Sequence, residues 1–293
     1  MSVANTVDPT DPGREFVDFW NEILAPKFIR FKHVLVDGLT HHSAAIFPSL
    51  PVREGDAVLD VGCGFGDTAI QLARRAGSDG NVIGIDCCEA FLEIARQDAA
   101  AAGLSNVTFI NGDVQSHAFA PDHDFVFSRF GTMFFENPVW GLKNMRAALR
   151  PGGLMTMIVW RTSDDNPWLG MAKQVVLKFL PQPGDDARTC GPGPFSMAGQ
   201  ETVTGMLKSA GYVDPEFKRV DAPVLVGRSV KDSIDFQLAL GPAGEVFREA
   251  GDLAEQRREE MEAALSDAIS PYLTDEGIVM ESSSWVITAR NPG

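Results

Sequence analysis

The most constraining feature of the chain is the stretch from 57 to 67. Ala57, Val58, Leu59, Asp60 and Val61 make a short apolar run that reads as a buried strand, and Gly62, Gly64 and Gly66 follow it on alternate positions. Asp67 then opens a segment in which Ala69, Leu72, Ala73 and Ala76 recur at helical spacing. A tight strand-to-helix turn needs glycine, which tolerates positive φ and lets a ligand approach the backbone. Strand, glycine turn and helix in this order predict an α/β fold with a ligand at the turn.

The spacing bears on which ligand. The dinucleotide fingerprint is G-x-G-x-x-G, with a pyrophosphate on the helix N-terminus. Here the third glycine comes one residue early, and Asp67 stands where that pattern wants glycine. A carboxylate at a helix start suits the helix dipole but repels a phosphate. Asp60 adds a second negative charge, and two acids without a phosphate-pairing base suit a cationic ligand. The next strand, 81–86, ends in Asp86, twenty positions after Gly66. An acid there can accept hydrogen bonds from both ribose hydroxyls of an adenosine ligand. A third strand, 107–111, runs into Gly112, Asp113 and Val114.

The run from Asp60 to Gly66 resembles motif I of the class I S-adenosylmethionine-dependent methyltransferases, roughly D-x-G-x-G-x-G. The sequence Leu149, Arg150, Pro151, Gly152, Gly153 before an apolar strand is similar to the ubiquinone- and menaquinone-biosynthesis-like branch of that family, and the resemblance covers about 55 to 160. It implies a Rossmann-like, doubly wound, seven-stranded sheet, with S-adenosyl-L-methionine as cofactor and S-adenosyl-L-homocysteine as product. That ligand carries a sulfonium and an ammonium and no phosphate, in agreement with the charge reading. Carried onto this sequence, the resemblance implies cofactor contacts from Asp60, Gly62, Cys63, Gly64, Gly66, Asp86, Cys87, Gly112, Asp113, Val114, Ser128 and Arg129, with Asp113 on the adenine amino group. Fold does not fix function, so two other readings stay open. One is a non-catalytic S-adenosylmethionine-binding subunit or regulator on the same fold. The other is a nicotinamide-dependent oxidoreductase, against which the early third glycine and Asp67 speak.

In chain order, 1–14 read as a loose arm and 15–36 as helical, with Phe16, Phe19, Trp20, Ile23 and Leu24 on one stripe and Pro26 interrupting it. Residues 1–50 thus form an N-terminal arm and helical cap, and 51–293 the methyltransferase domain. Within that domain the pattern predicts helices over 89–102 and 138–149 and strands over 124–128 and 154–160. After Trp160 the rhythm breaks, and 161–198 and 229–270 read as helical insertions, the first placed after strand five where lids commonly sit. Later elements are a helix over 199–210, strands at 216–223 and 284–289, and helices at 230–240 and 243–268.

In open α/β sheets ligands lie beyond the carboxyl ends of the strands. The tail of strand four, which holds Phe130, Met133 and Phe134, and the end of strand five at Trp160 are therefore expected at the site. With Trp20 and Trp168 they form the candidate acceptor wall, suited to a small, largely apolar, aromatic or quinone-like acceptor. Methyl transfer from a sulfonium needs a nucleophile held in line, and for a protic acceptor a group that takes the proton. Of the histidines, His33, His41, His42, His117 and His123, the one just upstream of the glycine motif, His42, is the candidate base. No metal site is expected: the four cysteines, Cys63, Cys87, Cys88 and Cys190, lack zinc spacing. The formal net charge of −15 argues against a nucleic-acid backbone or an anionic membrane as the main partner. No apolar run is long enough to span a bilayer, and the acids Asp11, Glu15, Asp18 and Glu22 argue against a signal or transit peptide. The expected setting is a reducing cytoplasm, with the chain a monomer or homodimer.

Overall fold

A computed structural model describes residues 12–184, 187 and 191–293. Most of the expected N-terminal arm, and Cys190, lie outside these residues. Eight strands form one sheet: β1 (Ala57–Val61), β2 (Asn81–Asp86), β3 (Val107–Asn111), β4 (His123–Arg129), β5 (Leu149–Trp160), β6 (Val213–Gly227), β7 (Leu273–Thr274) and β8 (Gly277–Arg290). Their order is β3-β2-β1-β4-β5-β8-β6, with the short β7 paired to β8. The first five strands are parallel, and β8 runs antiparallel to both β5 and β6. The order reverses between β1 and β4, so their carboxyl ends open a crevice where a doubly wound sheet takes its ligand.

The helices are α1 (Pro12–Phe19), α2 (Ala25–Arg30), α3 (Thr40–Ala44), α4 (Asp67–Ala76), α5 (Glu89–Ala101), α6 (Pro138–Ala148), α7 (Pro167–Val176), α8 (Gln200–Ser209), α9 (Val230–Ala239), α10 (Gly241–Ala250), α11 (Asp252–Gln256) and α12 (Arg258–Ile269). The apolar stripe of α4 is buried on the sheet as its spacing predicts, with Ala69, Leu72 and Ala76 at 0% exposure. The N-terminal segment is helical but irregular, with π turns at Trp20–Leu24 and His33–Gly38. Its end is tied to the sheet layer by Arg75 of α4, which donates to the carbonyls of Val52 at 3.0 Å and Leu50 at 2.7 Å, and also to that of Phe47.

Two expectations are corrected. The strands expected at 216–223 and 284–289 are much longer, since pairing continues from Asp221↔Ser283 out to Gly227↔Ile278. Trp160, the last residue of β5, pairs with Ser284, so the start of β8 and the end of β6 project past the carboxyl edge as a two-stranded arm. The second π turn and α3 pack on that arm. It carries Asp221, Pro223, Glu281, Ser282 and Ser283, residue types of low strand propensity, and its strand form rests on tertiary support. The helix expected over 243–268 is three helices, broken at Gly251, whose backbone sits at φ 53°, ψ −126°. The break lets α10 pack against α7 and α9 while α12 also reaches both.

Candidate active site

The three glycines of the turn all adopt left-handed backbone, with φ of 63° at Gly62, 52° at Gly64 and 75° at Gly66. Their surroundings differ. A Cβ on Gly66 would lie 2.6 Å from the Ala95 Cβ and 2.9 Å from the Phe109 ring, so this glycine lets α4 start hard against α5 and β3. A Cβ on Gly64 would meet nothing within 4 Å, because this residue faces open space. Amides of the turn are held by β2: Gly62 N–H donates to the Ile85 carbonyl at 2.9 Å and Gly64 N–H to Asp86 Oδ2, also at 2.9 Å. The other Asp86 oxygen accepts from Cys88 N–H at 3.0 Å. Burial pushes the Asp86 carboxyl above its ordinary range against these backbone bonds.

A cavity of about 260 Å³ lies at this edge of the sheet. Of the expected cofactor residues, Gly62, Cys63, Gly64, Asp86, Cys87, Gly112, Asp113, Val114 and Arg129 line it. Asp60, Gly66 and Ser128 do not. Asp60 is fully buried beneath the turn, where Thr68 Oγ1 donates to its Oδ2 at 2.6 Å, and burial is the main reason its pKa rises to about 7. Ser128 is also fully buried, and its hydroxyl has no partner. The cavity wall thus takes its backbone from the turn, while the acid that opens the motif lies underneath.

All six expected acceptor residues line the same cavity: Trp20, Phe130, Met133, Phe134, Trp160 and Trp168. Phe130 stacks on Trp160 with centroids 3.9 Å apart and planes 16° apart, and it holds a left-handed φ of 57° to do so. Trp168 meets Trp160 edge-on at 5.3 Å, and Phe134 meets Trp20 likewise at 5.3 Å. Residues that sequence reasoning missed complete the wall. Phe28, Phe65 and Phe91 cluster on one side, while Phe236, Leu240, Glu245 and Arg248 come from α9, α10 and their junction. The last four sit in a charged, helical insertion with no motif, so nothing in the local sequence marks them.

Two expected roles are corrected by the geometry. His42 is wholly buried behind the Phe130–Trp160 stack, edge-on to both rings. Its Nδ1 lies 2.8 Å from Ser284 Oγ and its Nε2 2.7 Å from Ser282 Oγ, so both ring nitrogens are engaged with β8. Burial, with His41 and Arg129 nearby, lowers its pKa to about 4. The ring does not line the cavity, and its place is that of a packed, neutral core group. None of the other four histidines lines the cavity either. Asp67, which the sequence left without a cationic partner, lies 2.8 Å from the Arg129 guanidinium, which also donates to Ser43 Oγ at 3.1 Å. This pair spans the α4 start and the β4 end and cancels one of the two charges on which the sequence argument relied. Among the described residues one trio of ligand-type side chains converges, Asp86, Cys87 and Cys88, but both Asp86 oxygens are occupied by amides. No described helix is long and apolar enough to cross a membrane.

A family model described as a methyltransferase domain matches residues 58–153, from β1 to the start of β5. Demethylmenaquinone methyltransferase of Staphylococcus aureus is 27% identical over 181 residues, covering 58% of this chain and 73% of the relative. Two solved structures share the fold. The YcgJ protein of Bacillus subtilis superposes with a TM-score of 0.56 at 16% identity, over 86% of this chain and 99% of that one. Haemonchus contortus phosphoethanolamine N-methyltransferase 2, solved with S-adenosyl-L-methionine, has a TM-score of 0.56 at 17% identity, over 95% of this chain and 60% of that one. With the glycine turn, the reversed strand order and the domain match in agreement, residues 58–153 are a methyltransferase domain, and the chain has the Rossmann-like fold of class I S-adenosylmethionine-dependent methyltransferases.

Proposed function

We propose that the chain methylates a small, largely apolar acceptor with an aromatic or quinone-like body. The observation that carries this reading is the composition of the cavity, which joins a glycine and carboxylate end to an aromatic end without a dividing wall. The first end fits S-adenosyl-L-methionine. Gly64 leaves open space over the turn, and Asp86 at the end of β2 and Asp113 two residues past β3 are hydrogen-bond acceptors. Arg129 is already paired to Asp67, so this end offers no free base for a phosphate. When bound, that cofactor supplies an electrophilic methyl group on a sulfonium. In this proposal Gly62, Gly64, Asp86 and Asp113 hold and orient it, with Cys63, Cys87, Gly112 and Val114 as apolar or backbone contacts. Trp20, Met133, Phe134, Trp160 and Trp168 hold the acceptor by shape and exclude water. The described parts of the N-terminal cap up to residue 50 and of the insertions at 161–198 and 229–270 supply the cover. The name of the S. aureus relative agrees with a quinone-like body.

The experiment is incubation of the full chain with isotopically labelled methyl donor and a panel of phenols, quinols, amines and carboxylic acids, read by mass gain. Transfer to a ring-bearing phenol or quinol is the expected result. Donor binding without transfer to any member would instead favour a non-catalytic subunit on the same fold.

A further inference from the structure

The charged residues that line the cavity are not equivalent. Asp67 is paired with Arg129 at 2.8 Å. Asp86 accepts from two backbone amides, and Asp113 accepts from Gln115 N–H at 2.9 Å. Arg248 lies 3.0 Å from Glu249 and sits over the Phe19 ring at 5.1 Å. Glu245 alone among the described lining acids has neither a hydrogen bond nor an ion pair. It is half-buried on α10, three residues before Arg248 and on the same helix face, and it lines the cavity together with Trp168, Leu169, Phe236 and Leu240. A partly buried carboxyl group that lines a cavity without a partner is open to a ligand that brings its own donor.

On the reading of this cavity as a donor-plus-acceptor site, we propose that Glu245 recognises a protic group on the acceptor, a hydroxyl or amine, and takes its proton during transfer. The step balances. A lone pair on the acceptor atom forms the bond to the methyl carbon as the carbon–sulfur bond breaks, and the electrons of that bond stay on sulfur and cancel its positive charge. The acceptor's proton passes to the Glu245 carboxylate and leaves to water when product departs. His42 cannot fill this role, since both its nitrogens are held by serines outside the cavity. The helix that carries Glu245 lies outside the 58–153 match to the methyltransferase domain, in the insertion between β6 and β8. Acceptor choice can therefore vary there without disturbing the turn that holds the donor.

The test is equilibrium binding of the full chain, saturated with S-adenosyl-L-homocysteine, to 2-naphthol and to 2-methoxynaphthalene, the same ring with its hydroxyl proton replaced by methyl. The wild-type chain should prefer the naphthol by roughly tenfold or more, the worth of a hydrogen bond to a charged group. Glu245→Leu should bind both rings about equally and keep the wild-type affinity for S-adenosyl-L-homocysteine. Glu245→Gln, of the same shape, should show a reduced preference, and it carries the comparison if the leucine variant folds poorly. A preference that survives in both variants, or is missing from the wild type, overturns the role of Glu245 while leaving the aromatic acceptor standing. If the wild type binds S-adenosyl-L-homocysteine and neither ring, the aromatic acceptor itself is overturned, and this inference with it.

Discussion

Asp60→Asn isolates the energetic cost of the buried carboxyl beneath the glycine turn. Asp60 has no exposed surface, one oxygen bonded to Thr68 and the other without a partner. Burial is the largest influence on it, the Thr68 bond opposes, and the neighbouring Asp67 adds to the rise from 3.8 to about 7. Because the folded pKa lies above the unfolded one, the folded chain holds this proton through the window from 3.8 to about 7. Its contribution is therefore full below that window and lost as pH rises through it, a swing of about 4 kcal/mol. His42 acts in the opposite sense. Its pKa falls from 6.5 to about 4, the unfolded chain binds the proton first, and stability is lost as pH drops through that range, by about 3 kcal/mol. The two largely offset each other in the wild type. Asparagine keeps the shape and an oxygen for Thr68 but does not titrate. The unfolding free energy of Asp60→Asn minus that of the wild type should climb by about 4 kcal/mol between roughly pH 4 and pH 7.5, and the variant's own profile should show the His42 slope unmasked. Urea unfolding followed by far-ultraviolet circular dichroism across this range measures it. A difference that stays flat within about 1 kcal/mol refutes the reasoning, and the carboxyl must then find relief not visible in its contacts.

Asp86→Ala should weaken S-adenosyl-L-methionine binding by roughly ten- to a hundredfold, as loss of hydrogen bonds to a charged group does, with the fold intact; titration calorimetry with unchanged affinity would count against the assignment. Gly64→Val places a branched side chain into the open space over the turn at a φ of 52°, so donor binding should vanish, and a crystal structure of the variant with donor in place would show the space is not the donor's. Phe134→Ala removes a half-buried ring that meets Trp20 edge-on; it should raise KM for the acceptor and leave donor affinity within a few-fold. Trp160→Ala in addition opens the core, at about 3–5 kcal/mol of stability, so full turnover in the Phe134 variant would be the cleaner sign that the acceptor binds elsewhere.

The parallel half of the sheet and the donor end of the cavity were legible in the sequence because their signals are local. A five-residue apolar strand, glycines on alternate positions and a helix with its apolar face at period 3.6 describe one another within a few turns of chain. The acids Asp86, at the end of the next strand, and Asp113, just past the one after it, follow from the same local pattern. The charge pairing and proton chemistry of the site were decided by contacts across long separations. Asp67 and Arg129 are 62 positions apart and Arg129 and Ser43 are 86 apart, so no window of sequence shows that the acid in the glycine motif is already neutralised. His42 reads as a free base until β8, some 240 positions later, brings Ser282 and Ser284 to its two nitrogens. The same distance conceals the two-stranded arm, whose polar residues become strand only because the cap helices cover them. Glu245 belongs to this second class. Its stretch reads in sequence only as part of a helix over 243–268, and the break at Gly251 and the packing of α10 on α7 place one of its carboxylates in the cavity lining. Backbone propensity and apolar periodicity act between near neighbours and can be read along the chain; charge pairing and burial depend on which distant segments the fold brings into contact.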